Sequence, residues 1–139
     1  MITAFRPAPL WLRFALVALE LFTAGGALYG GWLLIADPSG VRIGFAPGLL
    51  DHTPFASYLV PGIVLFAVNG LGNLGAALAV AFGWRHATIA SLAAGVLLTS
   101  WISVQVALIG YASGLQPIML AVGLLTAGAA LLARRATVG

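Results

Sequence analysis

Apolar residues run along this chain in four long stretches, broken by short clusters of charge, glycine and proline. Between positions 14 and 36 the only charged residue is Glu20. A run of about 20 apolar residues is what a helix needs to cross about 30 Å of hydrocarbon. Residues 14–36 are therefore the first expected span; the run exceeds the roughly 7–15 residue apolar core of a secretory signal, so we read it as a membrane helix. Asp37, Pro38, Ser39 and Gly40 signal a turn, because each favours backbone conformations that end regular structure. A long connection follows, with a short interfacial element at 54–60, and the second span is expected over 61–84, since Pro61 and Gly62 would interrupt a helix begun earlier. Positions 87–133 hold no charge, which is too long for one crossing. Gly110, Gly114 and Pro117 divide the stretch into spans at 87–110 and 116–133.

The pattern predicts an all-α integral membrane four-helix bundle, a single domain over residues 1–139. Arginines orient it: Arg6, Arg13, Arg85, Arg134 and Arg135 fall on one side and Arg42 on the other. Both termini are expected to be cytoplasmic, because cytoplasmic flanks accumulate arginine. Trp11 and Trp84 then mark the inner boundary, and Trp32, Tyr58 and Tyr111 the outer one. The extracytoplasmic connection 37–60 is expected to be ordered on the membrane surface, since Ile43, Phe45, Leu49, Leu50, Phe55 and Tyr58 are too apolar for a solvated loop.

Composition removes whole classes of function. The 139 residues are 62% hydrophobic and 6% charged, with a mean hydropathy of +1.11, whereas soluble domains are about 25% charged. The partner implied is the lipid bilayer, in a bacterial inner membrane. The net charge of +3 reflects few acids rather than a basic face, so nucleic acid is not expected. With no cysteine, disulfides and thiolate metal sites are excluded. His52 and His86 belong to opposite membrane surfaces and cannot share a metal or haem, and Asp51 with His52 falls short of a metal ligand set. We expect no metal, no cofactor and no catalytic residue, because one buried acid without a buried base is a poor acid–base set.

Glu20 is the candidate with most chemistry, since an acid inside a membrane helix is costly unless paired, protonated or hydrated. It shares a helix face with Thr23, Ala27 and Gly31, a face that serves equally as a packing seam. Gly26 and Gly30 offer a second small-residue pair. Asn69 and Asn73 are one turn apart and expected to point inward, and Asn73, Ser91 and Thr126 reach depths comparable with Glu20. Hydrogen bonding of Glu20 is expected to Asn73 first, then Ser91 or Thr126. Trp101 and Gln105 share a face of span three, and the Trp101 indole needs a partner such as Asn69 or Gln105. Glu20, Asn69, Asn73, Trp101 and Gln105 are thus the candidate ligand-binding residues.

The segments ADPSG, HTPFASYLVPG, WISVQVALIG and LQPIML resemble a group of small bacterial four-span proteins loosely similar to the DoxX-like group, a resemblance that implies no catalytic residue. ALELFTAGGAL is similar to the first helix of the small multidrug resistance family, whose proton-coupling glutamate would correspond to Glu20. The present chain differs in its longer outer connection, in having no lysine at the end of span one and in matching that family only loosely at Trp101. Two readings follow. The first is a non-enzymatic membrane protein acting by helix association, with itself or a larger membrane complex. The second is a small transporter, or a binder of a lipophilic small molecule, that uses Glu20 as an intramembrane proton or ligand site.

Overall fold

The computed structural model describes residues 7–138; Arg6, one of the arginines used above, lies outside them. The described residues form four helices long and apolar enough to cross a membrane. These are α1 (Leu10–Ala36), α2 (Leu59–Ala81), α3 (Ala87–Ile109) and α4 (Leu115–Val138). No strand occurs among the described residues. The protein is a small integral membrane protein built as a four-helix bundle. Consecutive helices run up and down, which puts the start of α1, the α2–α3 link and the end of α4 at one end. Most of the arginines lie there, so we call it the arginine end, and its opposite the loop end.

Helix boundaries depart from the expected spans for identifiable reasons. Helix α2 begins at Leu59, not at Pro61. Its first helical bond runs from the Gly62 amide to the Tyr58 carbonyl, so Pro61 occupies the first turn, where an N–H has no partner within the helix to lose. Residues 54–58 are bends and form no separate helical element. At the other end α2 stops at Ala81 rather than Trp84. Gly83 adopts φ +69°, and the Trp84 amide donates back to the Ala79 carbonyl at 2.9 Å while the Gly83 amide donates to Val80, a Schellman stop that needs a left-handed residue. Residues Leu65–Leu71 of α2 form a π-helical segment, a widened turn frequent near functional sites.

Glycines set the helix spacing. A Cβ on Gly95 of α3 would lie 2.5 Å from the Ala127 amide nitrogen, and one on Gly123 of α4 would lie 2.6 Å from Thr99 Oγ1, so α3 and α4 meet backbone to backbone. Gly31 of α1 faces the Phe66 backbone at 2.8 Å, and Gly70 of α2 faces the Leu28 side chain at 2.7 Å, by the same measure. Without a hydrophobic force between helices in lipid, such close van der Waals contact is a main source of association. The Gly26–Gly30 pair does not share this role, because nothing lies within 4 Å of a Cβ on Gly26.

Two apolar layers fill the bundle. One, near the arginine end, joins Leu12, Leu16, Val80, Ala87, Ala130 and Ala133 from all four helices. The other joins Leu98, Ile102 and Val122, with Leu19, Trp101 and Met119 packed on it. Arg13 closes the arginine end by donating from Nη2 to the Val80 and Ala81 carbonyls at 3.1 and 3.2 Å, placing a positive charge at the negative end of α2.

The connection between α1 and α2 is ordered by its own bonds. Asp37 accepts from the Ser39 hydroxyl at 2.6 Å and from the Arg42 amide at 2.9 Å, and the Tyr58 amide donates to the Pro38 carbonyl. Tyr58 lies at the loop end as the N-cap of α2 and is buried there: its ring packs tilted against Phe45 with centroids 4.9 Å apart and covers Gly40, where φ is +78° and any Cβ would meet the ring at 2.7 Å. Burial pushes the Tyr58 phenol above its usual pKa. Ile43, Phe45, Leu49, Leu50 and Phe55 are each half-buried, as an ordered surface connection requires.

Two outcomes follow. Gly95→Val should lower bundle stability by about 1–3 kcal/mol through overpacking, whereas Gly128→Ala, which has open space around it, should change it by no more than about 1 kcal/mol; thermal unfolding in micelles measures both. Asp37 is held below its usual pKa, chiefly by the Ser39 hydroxyl and then by the Arg42 amide. Because the folded value is depressed, the ordering Asp37 supplies is complete above the ordinary carboxylate range and is lost as pH falls through the lower folded value. Limited proteolysis within 38–57 should therefore accelerate only in strong acid, and Asp37→Asn should show that acid rate at neutral pH.

Candidate functional site

A polar layer lies between the two apolar ones. Each of its members is displaced from the inner apolar layer by whole turns: Glu20 follows Leu16 by one turn, Ser91 follows Ala87, Thr126 precedes Ala130, and Asn73 precedes Val80 by two. Glu20, Ser91 and Thr126 therefore share one level, and Asn73 of α2 lies about one turn farther toward the loop end. Glu20 and Ser91 are fully buried, and Asn73 and Thr126 are each 1% exposed. Glu20 lies ten residues beyond Leu10, about 15 Å along the axis, well inside the hydrocarbon span. The shared face of Glu20, Thr23, Ala27 and Gly31 is buried as a unit. One turn from Asn73, within the π segment, Asn69 is also buried.

The hydrogen bonds run along helices rather than between them. Thr23 donates to the Leu19 carbonyl, Asn73 Nδ2 to the Asn69 carbonyl, Thr99 to Gly95 and Thr126 to Val122, at 2.8–3.0 Å. Each is a bond to the carbonyl four residues earlier, available to a short polar side chain on any helix. The expected Glu20–Asn73 bond is not formed: both Glu20 oxygens lack a partner, and the Asn73 amide donates to its own helix. Thr126 is committed in the same way. Ser91 is the hydroxyl that faces Glu20, yet the pair falls short of hydrogen-bond geometry. Both Glu20 oxygens, the Ser91 hydroxyl and both polar atoms of Asn69 remain buried without a partner.

Trp101 and Gln105 belong elsewhere. Trp101 packs on the outer apolar layer and does not bond Asn69, whose amide is free. Gln105 accepts from Gln116 Nε2 at 3.2 Å, and Gln116 Oε1 accepts from the Ala112 amide at 2.8 Å. Gln116 is 5% exposed and ties the α3–α4 turn together, a role for which its sequence position beside Pro117 carried no distinctive signal. Of the five candidate residues, Glu20 and Asn73 belong to the polar core, Asn69 is buried one turn beyond Asn73 and near the level of Leu28 of α1, and Trp101 and Gln105 lie toward the loop end. His52 follows the turn at Gly48–Asp51 and His86 is the N-cap of α3, at opposite ends of the bundle.

A buried, unpartnered carboxylic acid, amide and hydroxyl within one bundle provide hydrogen-bonding capacity that a proton, water or a small polar group can satisfy. Comparison with family models, with curated proteins and with solved structures finds no match for this chain.

Leaving a buried polar group unsatisfied costs about 1–3 kcal/mol, so Glu20→Met should leave the bundle as stable as the parent or stabilise it by up to that amount. Thermal unfolding in ligand-free micelles is the check. A marked loss of stability would make Glu20 a packing residue.

Proposed function

We propose that this protein is a small transporter or lipophilic-ligand-binding membrane protein whose Glu20 is an intramembrane proton and ligand site. The observation that carries the reading is that both Glu20 oxygens and the Ser91 hydroxyl facing them are buried without a partner: if these side chains served only to hold helices together they would bond across helices, and the bonds of the polar layer stay within them. Function is the default reading for an ionisable residue inside a membrane helix. Ser91 orients the polar part of the occupant, and the apolar layers on either side exclude bulk water. The chemistry is binding rather than catalysis, since a lone acid offers no acid–base pair. The resemblance of ALELFTAGGAL to the small multidrug resistance family supports this reading at Glu20, and that of the other segments to the DoxX-like group supports a small bacterial four-span protein.

A second reading, association with another copy or with a larger membrane complex, is favoured by one observation. Gly25, Gly26 and Gly128 are exposed, and a Cβ at any of them would meet nothing within 4 Å, which leaves small-residue surface on α1 and α4 free to meet another helix. Placement in a bacterial inner membrane with cytoplasmic termini rests on the arginine asymmetry.

Glu20→Gln separates the two readings. Titrating the purified protein with tetraphenylphosphonium, a lipophilic cation, should release protons from the parent and none from Glu20→Gln at equal abundance; equal responses would leave only the association reading. Orientation has its own test. A cysteine at Ser39 should react with an impermeant reagent from outside the cell and one at Thr137 should not, and the reverse pattern would invert the topology.

A further inference from the structure

The two apolar layers that enclose Glu20 are unequal. Toward the loop end the layer is built from Leu98, Ile102 and Val122, with Leu19, Trp101 and Met119 packed on it. Toward the arginine end half of it is alanine: Ala87, Ala130 and Ala133 stand with Leu12, Leu16 and Val80. A cavity of about 30 Å³ enters from that end, with exposed Gly83 and Arg85 at its rim and buried Leu16, Val80, Ala87 and Ala133 at its floor. It has room for a water but none for a ligand. Two of its floor residues stand one turn from the polar site. Leu16 precedes Glu20 by four residues and Ala87 precedes Ser91 by four, about 6 Å along each helix axis. Ala87 offers only a methyl group there, so the larger barrier is the Leu16 side chain, which is 1% exposed.

We infer that protons pass between Glu20 and the surface at the arginine end through this cavity, with the Leu16 side chain as the gate. The inference rests on the reading of Glu20 as a proton site and adds the side from which that site is served. When Leu16 moves aside, a water from the cavity reaches the carboxyl, accepts its proton to leave the carboxylate, and passes the proton to water at the rim. Return of a proton follows the same steps in reverse. An apolar constriction admits water only transiently, which is how one side chain can keep bulk water from Glu20 and still let a proton through. The thicker layer of Leu98, Ile102 and Val122 closes the opposite side.

The test is the rate at which the Glu20 carboxyl exchanges its proton for deuterium. Infrared spectroscopy of the full-length protein in lipid bilayers follows it after a switch into acidic heavy water, as the C=O band shifts when O–H becomes O–D. Leu16→Ala should speed exchange about tenfold, whereas Leu98→Ala, the same truncation in the outer layer, should leave it within about twofold of the parent. Ala87→Val fills the cavity from its wall and should slow exchange about threefold, which keeps the path testable if Leu16→Ala fails to fold. Exchange unchanged in a folded Leu16→Ala, hastened as much by Leu98→Ala, or not slowed by Ala87→Val would overturn the assignment while the reading of Glu20 stands. A C=O band that persists unchanged in alkali would instead overturn the reading of Glu20 itself, and the path with it.

Discussion

In hydrocarbon a polar group is satisfied by the protein itself or by something the protein admits, because the surrounding lipid offers neither donor nor acceptor. The polar layer of this bundle is organised by that constraint. Thr23, Asn73, Thr99 and Thr126 meet it locally, each turning back to a carbonyl of its own helix. Glu20, Asn69 and Ser91 do not.

The glycine contacts and the polar layer depend on one another. Close approach at Gly31 and Phe66 and at Gly95 and Ala127 brings backbones together and shuts lipid out of the interior, and only an interior without lipid can hold an acid at this depth. The same closeness restricts the interior to small side chains: Ala76, Ala77 and Ala94 are buried within the bundle. Above and below, Leu16 and Val80 on one side and Leu98 and Val122 on the other close the layer. The arginine end is held differently, by Arg13 across the C-terminal carbonyls of α2, so one arginine contributes both to charge asymmetry and to capping.

Much of this architecture was legible in the sequence because its cause is local. Runs without charge specify spans, and Gly110 with Pro117 specify the break between α3 and α4. The inward face of Glu20, Thr23, Ala27 and Gly31 follows from helical spacing alone. What escaped depends on geometry at the ends of helices or on competition between partners. Pro61 suggests a break but fits within a first turn; the Gly83 stop was readable as a left-handed C-terminal glycine, yet Trp84 and Arg85 drew the boundary outward. Helical spacing places Glu20 and Asn73 inside, but a bond between them competes with the nearer Asn69 carbonyl, to which the Asn73 amide donates. Trp101 and Gln105 share a face as spacing predicts, and Gln116 claimed Gln105 from the next helix, a contact that helical periodicity within span three cannot reveal.

The central claim is that the Glu20 carboxyl exchanges a proton within the bundle rather than serving as inert filling. Infrared difference spectroscopy of the protein in lipid bilayers measures this directly through the carboxylic acid C=O stretch. The expected result is a band that diminishes reversibly as the sample is taken from acid to alkaline conditions, with growth of the carboxylate bands, and that is absent in Glu20→Gln. A Glu20 signal unchanged across that range would contradict the claim and reduce the polar layer to packing.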